Sequence, residues 1–421
     1  MKRKWVVFMA LSVLLLMTTL AYGAYVSHND QDSGLFLDAY PDKAGTKLDH
    51  CALCHRSGEI TKKSGTITLG SCQWCHEAYG YDKSGNILDT MNGYGLDYGT
   101  NGKDTGAFAK IDQLDSDNDG YTNAEEIAAN RFPGDANDTP ALVEAPYKVY
   151  TRAQLEALPA HTQFMLMNSS RGGTTGLDSY DEYTGVVMED LLNDVGMLSG
   201  TSGITVFAAD GWAQSHPLDI TEGDELYYIR GEYPQAVFHY NETADYDDGN
   251  NPVGWVDYGA PQCIGRSDGQ QIIVDGGLRA ILAYLHNGTP LQSGVLSSDN
   301  KLDGEGPFRL VVPQKSPGVP DQPSGSTDDT LPWAYDEALD HNAGASSRTV
   351  TFIRVEPLPP GTTDINVYEE GWRFVDEEKI VIYGNIAPTD SIDLEPAAVD
   401  GSVDDSDSNI LGCFISVLSG L

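Results

Sequence analysis

Two copies of the spacing Cys-x-x-Cys-His stand 16 residues apart in this chain, at Cys51-Ala52-Leu53-Cys54-His55 and Cys72-Gln73-Trp74-Cys75-His76. Two thiols three residues apart can each add to a vinyl group of one porphyrin, and a histidine directly after them can reach its iron. This is the attachment chemistry of c-type haem: thioethers fix the macrocycle and the imidazole supplies an axial nitrogen. With six cysteines and nine histidines in 421 residues, only about 0.002 such matches are expected by chance. A four-cysteine zinc site or a pair of disulfides could use the same thiols, but neither requires a histidine after each second cysteine. Two covalently bound haems are therefore expected, with His55 and His76 as proximal ligands. For the opposite faces of the irons the candidates are His28 and His50 as a bis-histidine arrangement, or Met91, 15 residues after the second motif.

A second cluster follows at Asp115-Ser116-Asp117-Asn118-Asp119-Gly120-Tyr121-Thr122-Asn123-Ala124-Glu125-Glu126. Oxygen donors fall at loop positions 1, 3, 5, 9 and 12, with glycine at position 6 for the sharp turn. A calcium site is expected, held by Asp115, Asp117, Asp119, the carbonyl of Tyr121, Asn123 and Glu126. The loop matches the EF-hand pattern except at position 8, where Thr122 replaces the usual aliphatic residue. In that respect it resembles the isolated loops of dockerins, which implies a structural staple rather than a sensor. Phe108–Leu114 and Glu125–Arg131 are expected to form the short flanking helices. The surrounding segment has little apolar sequence of its own, so the two porphyrins are expected to supply most of its core.

The elements that position these groups lie in the first third of the chain. Lys2, Arg3 and Lys4, a mostly apolar run from Val6 to Leu20, and Ala21-Tyr22-Gly23 have the form of a secretory leader. Export is required chemically, because bacterial haem attachment to this motif occurs outside the cytoplasmic membrane. No other stretch is long and apolar enough to span a bilayer. A net charge of −38 argues against nucleic-acid partners, whose phosphates need Lys and Arg. The acidity would keep an exported protein soluble, supply calcium ligands and bias association toward basic partners. Phe132-Pro133-Gly134-Asp135-Ala136-Asn137-Asp138-Thr139-Pro140 has the composition of a turn and linker. Together these features resemble an exported dihaem c-type cytochrome.

Beyond residue 145 the pattern changes to short strands, long loops and few helical stretches. Thr151 is placed to cap a helix running to Leu158, Met188–Val195 has helical spacing, and Ile204–Ala208, Leu278–Leu285 and Thr349–Val355 suggest strands. Four motifs recur in order: Tyr183-Thr184-Gly185-Val186 leading to Leu191-Leu192, Ile204 leading to Asp210-Gly211-Trp212, Leu282 leading to Gly288-Thr289-Pro290-Leu291, and Gly304-Glu305-Gly306-Pro307-Phe308-Arg309-Leu310-Val311-Val312-Pro313. This order resembles the sulfite-oxidase-like molybdopterin-binding domain over about Tyr147 to Glu356. The resemblance implies a mixed domain with substantial sheet. It also implies a cysteine thiolate on molybdenum at the strand end before Tyr183, where this chain has Phe164–Gly172 and no cysteine. Asn168 or Ser169 cannot replace a soft thiolate, and Cys263 lies in another segment, so molybdopterin is not expected.

His161, His216, His239, His286 and His341 show no paired spacing and are expected in turns or at the surface. The stretch Asp245–Asn251 has the composition of a solvated acidic loop. The end of the chain, an acidic Ser-rich run from Asp400 and the apolar Ile410–Leu421 with Cys413, resembles Cys-containing sorting tails and implies attachment at an outer surface.

The expected fold class is α+β: a small, mostly helical and irregular dihaem module followed by a β-rich sulfite-oxidase-like domain. The expected divisions are a leader at 1–23, the haem module at 24–145 with its calcium loop at 115–126, the second domain at 146–390, and a tail at 391–421. The expected role is electron transfer in the bacterial envelope or at the cell surface, to redox proteins or extracellular acceptors. The alternative is a haem–molybdenum oxidoreductase that passes substrate electrons to the haems.

Overall fold

Aromatic rings hold the first third of the chain together. The computed structural model describes residues 31–62, 65–80, 84–170, 178–220, 226–240, 261–296, 302–321, 335–365 and 371–388. The leader, His28, the Asp245–Asn251 stretch and the tail with Cys413 lie outside the described residues. Five short helices build the first body: α1 (Gln31–Ala39), α2 (Ser71–Tyr79), α3 (Gly93–Thr100), α4 (Thr105–Ile111) and α5 (Asn123–Ala128). Phe108 of α4 stacks on Tyr98 of α3 with centroids 4.4 Å apart and planes at 9°. Phe36 of α1 meets the same ring edge-on at 5.6 Å. Leu48, Leu53, Tyr94, Ile111 and Ile127 complete the cluster. Ring pairs of this kind contribute about 0.5–1.5 kcal/mol each beyond their buried area. Much of the apolar surface of this cluster sits in tyrosine and phenylalanine rings.

An antiparallel hairpin, β1 (Gly58–Lys62) and β2 (Gly65–Leu69), precedes α2. Among the described residues, the rest of the chain is mixed, with helices beside two five-stranded sheets and three two-stranded ones. The first sheet uses β3 (Tyr147–Thr151), β6 (Gly203–Ala208), β7 (Ala213–Pro217), β10 (Val350–Glu356) and β11 (Lys379–Gly384), in the order β3-β11-β10-β6-β7. Only the β10–β11 pair is parallel. Both strands are buried along almost their whole length, as expected where both faces of a strand are covered. The second, five-stranded sheet uses β4 (Ala160–Met167), β5 (Ser179–Val187) and β8 (Ile281–His286) in the order β4-β5-β8, and both β9 (Arg309–Val311) and the short strand Thr289–Pro290 pair with β8. Leu282 stands between Val186 and Leu310 in register. These three join Ile204, Ile353 and Ile382 of the other sheet in one core. Helix α6 (Met188–Asp194) adds Leu191 and Leu192 to that core.

The structure joins the two bodies through buried polar contacts, so the segment expected as a linker is a packed junction. Asp138 is 4% exposed. It accepts from Lys47 Nζ at 2.6 Å, from the Phe132 amide at 2.9 Å and from Thr363 Oγ1 at 2.7 Å. Burial pushes the Lys47 ammonium toward its neutral form, and Asp138 opposes that shift. A second seam runs from Leu69 at the end of β2, which bridges to Trp212, to Gly70, whose amide donates to Gly211 O at 2.9 Å.

Two of the scattered histidines are not surface residues. His216 is buried and desolvation drives its pKa down to about 4, so it packs as a neutral ring. His286 sits between two carboxylates, with Nδ1 2.5 Å from Glu305 and Nε2 3.0 Å from Asp181. Burial alone would lower its pKa, but hydrogen bonds to Asp181 and Glu305 outweigh this and raise it to about 9.

Two outcomes follow for stability. Asp138→Ala leaves Lys47 buried without its carboxylate and should cost about 3–5 kcal/mol in denaturant unfolding. A loss below 1 kcal/mol would show that the junction is not load-sharing in solution. His286 has a folded pKa above its unfolded value of about 6.5, so its contribution is complete below that pH and is lost as pH rises through about 9. Unfolding midpoints should therefore fall between pH 6.5 and 9, and His286→Gln should flatten that decline.

Candidate functional site

The first Cys-x-x-Cys-His motif forms a single helical turn. Residues Cys51–Leu53 are a 3-10 helix, and the amides of Cys54 and His55 both donate to Cys51 O, at 3.2 and 2.9 Å. Positions 51, 54 and 55 therefore stand one turn apart, which aims both thiols to one side. Neither Cys51 nor Cys54 is in a disulfide, and both are half-buried. His50 is the N-cap: its Nδ1 accepts the Ala52 amide at 3.1 Å. That bond occupies Nδ1, so any ligation of iron by His50 would use Nε2.

The second motif repeats this spacing on α2, whose residues include Cys72, Cys75 and His76. Cys75 is half-buried and is not in a disulfide. The side chains of Cys72 and His76 lie outside the described residues. Helix α2 packs directly beside the turn Cys51–Leu53, so the fold makes neighbours of the two motifs. Trp74 lies against Gly58 so closely that a Cβ there would come within 2.2 Å of the indole.

At the first motif the residues present, Cys51, Cys54 and His55 on one turn, fit a haem. Trp74 Nε1 and Tyr94 Oη are buried donors with no hydrogen-bond partner among the described residues. Trp74 lies inside the second motif, and Tyr94 is close enough to Cys54 for its charge to bear on the phenol. Porphyrin carboxylates would supply the acceptors these donors lack.

Residues 90–95 brace the first motif. His55 pairs with Met91 in an antiparallel bridge, flanked by Arg56 N to Thr90 O at 2.9 Å and Asn92 N to Cys54 O at 3.0 Å. Asn92 Nδ2 also donates to Ala52 O and Leu53 O, at 3.2 and 3.0 Å. Its Oδ1 accepts the Gly95 amide and caps α3. A Cβ on Gly95 would meet Cys54 O at 2.2 Å, so only glycine allows this approach. Thr90 Oγ1 lies 3.0 Å from His55 Nδ1.

Bridge partners have Cα atoms about 4.5–5.5 Å apart, so Met91 stands alongside His55. Its buried side chain reaches toward Gly99 of α3. His28 lies outside the described residues.

The acidic loop has the chemistry of a cation site. One carboxylate oxygen from each of Asp115, Asp117 and Asp119 lies within 4.8 Å of the others. The amides of Asp119, Gly120 and Tyr121 fold inward onto Asp115, Asp117 and Asp119, at 2.8–3.2 Å. Glu126 is fully buried, and neither of its oxygens has a hydrogen-bond partner among the described residues. Burial and the charges of Asp117, Asp119 and Asp115 raise its pKa to about 9. Burial and Asp119 raise Asp117 to about 6. A divalent ion would relieve both, and the oxygen set fits calcium. The Asn123 side chain is engaged with the loop and the preceding helix. Its amide group donates to Ile111 O and Ser116 Oγ, and its oxygen accepts the Ser116 amide. Thr122 is explained by its capping box with Glu125 at the start of α5. The signal was legible as Thr-x-x-Glu before a short helix.

At the strand end where the sulfite-oxidase resemblance implies a thiolate, the Asn168 amide donates to Asn342 Oδ1 at 2.9 Å. The neighbouring Ser169 amide donates to Asp178 at 2.8 Å. Cys263 is buried and close enough to Tyr180 to affect its ionisation, and Tyr180 pairs with Leu166 of β4. No family model, curated protein or solved structure matches this chain.

Glu126→Gln removes the buried charge aimed at the loop and should weaken calcium binding at least about tenfold in calorimetry. Asp135→Asn, outside the loop, should leave the affinity unchanged. Equal affinities for wild type and Glu126→Gln would take Glu126 out of the site.

Proposed function

We propose that this chain is an exported dihaem c-type cytochrome that carries electrons in the bacterial envelope or at the cell surface. The observation that supports it most is the repetition of Cys-x-x-Cys-His on two neighbouring helical turns. In this reading Cys51 and Cys54 hold one haem through thioethers and Cys72 and Cys75 hold the other. His55 and His76 give each iron an axial nitrogen. The haems supply one-electron chemistry, and the protein sets ligand identity, burial and approach to partners. Adjacent attachment turns suit two centres that exchange electrons with each other before passing them to a redox protein or an extracellular acceptor.

Calcium at Asp115, Asp117, Asp119 and Glu126 would act as a staple, since Ser116 of the same loop packs on α3. The second body, in the sulfite-oxidase-like reading, is a scaffold or docking surface without molybdopterin. The acidic charge disfavours nucleic acid.

One observation favours a second reading, the haem–molybdenum oxidoreductase: Cys263 comes near Tyr180 and hence near the end of β4. About one molybdenum atom per chain by elemental analysis would select that reading.

A pyridine haemochrome assay on protein expressed with a haem-attachment system should give two haems per chain. Cys51→Ala/Cys54→Ala and Cys72→Ala/Cys75→Ala should each lower the count to one. Fewer than two haems in the native protein would overturn the proposal.

A further inference from the structure

Thr90 connects the first motif to the chain beside His55. The Thr90 side chain is fully buried. Its hydroxyl lies 2.8 Å from Ile87 O and 3.0 Å from His55 Nδ1. A hydroxyl has one proton. With that proton given to Ile87 O, Thr90 Oγ1 accepts from His55 Nδ1–H, which is the tautomer that ligates a metal through Nε2.

The position of Thr90 is fixed by backbone contacts on both sides. Its amide donates to Ile87 O at 3.0 Å, and its carbonyl accepts the Arg56 amide at 2.9 Å. Asn92, two residues on, holds the carbonyls of Ala52 and Leu53. The acceptor therefore cannot drift away from the ring without breaking the bridge between His55 and Met91.

We propose that Thr90 is a positioning residue for the first haem: it selects the His55 tautomer that ligates through Nε2 and lowers the reduction potential of that haem. An acceptor on Nδ1–H makes Nε2 more basic, and a more basic axial nitrogen stabilises ferric over ferrous iron. The nearly isosteric Thr90→Val keeps the branched shape and removes the acceptor. Thr90→Ser keeps the acceptor.

This rests on the dihaem reading, and one set of samples separates the two. Haem content is counted first, then both potentials are measured by spectroelectrochemical titration. In Thr90→Val protein with two haems, one potential should rise and the other stay unchanged, and Thr90→Ser should restore the native value. Unchanged potentials in a two-haem Val variant overturn the role of Thr90. Fewer than two haems in the native protein overturns the dihaem reading itself. If the Val variant does not fold, the native protein decides. With ring-nitrogen-labelled histidine, the His55 Nδ1 proton should exchange slowly with solvent in NMR, and rapid exchange overturns the assignment.

Discussion

The close approach of residues 90–95 to the turn at Cys51–His55 is the constraint on which the first body depends. A 3-10 turn leaves its carbonyls without partners inside the turn. Here Asn92 takes three of them through its amide and side chain, those of Ala52, Leu53 and Cys54. Gly95 lets helix α3 come down on Cys54 O, where any Cβ would collide. The same helix carries Tyr94 and Tyr98, whose rings are half of the stacked core around Phe108. One short segment therefore sets the turn at Cys51–Leu53, the neighbouring His55 and the hydrophobic centre together.

The calcium loop engages this segment from the far side. A Cβ on Gly93 would meet Ser116 O at 2.0 Å, and Ser116 Oγ donates to Asp97 of α3 at 2.7 Å. Asn123, which the loop pattern marked as a ligand, holds Ser116 in place. The loop and the first motif are thus the two faces of α3. Packed helices transmit displacement because interiors are close-packed, so the acidic loop and the turn at Cys51–His55 share a rigid connector.

Much of the second body was legible in the sequence. Thr151 caps a short helix with Gln154, Met188–Asp194 is helical, and Gly203–Ala208 and Val350–Glu356 are strands. These elements have strong local signals: a capping box, helical spacing and β-branched runs. The junction was not legible. Phe132–Pro140 has the Pro, Gly and Asp density of a free linker, yet Asp138 is buried against Lys47 and Thr363, which lie 91 and 225 residues away. His286 was hidden for the same reason, since its partners Asp181 and Glu305 come from different strands and loops.

The sequence alone determined the chemistry on offer. Four thiols and two histidines at helical spacing, and five oxygen donors in a twelve-residue loop, are local patterns whose meaning depends on residue type and separation. Tertiary structure decided which of those groups face each other. It set α2 beside the turn Cys51–Leu53, placed Met91 alongside His55, and tied the Asn123 side chain to Ser116 within the acidic loop. It also brought Thr90 to His55 across 35 residues. Such pairings depend on the packing of helices whose contacts are remote in sequence, and no local spacing encodes them.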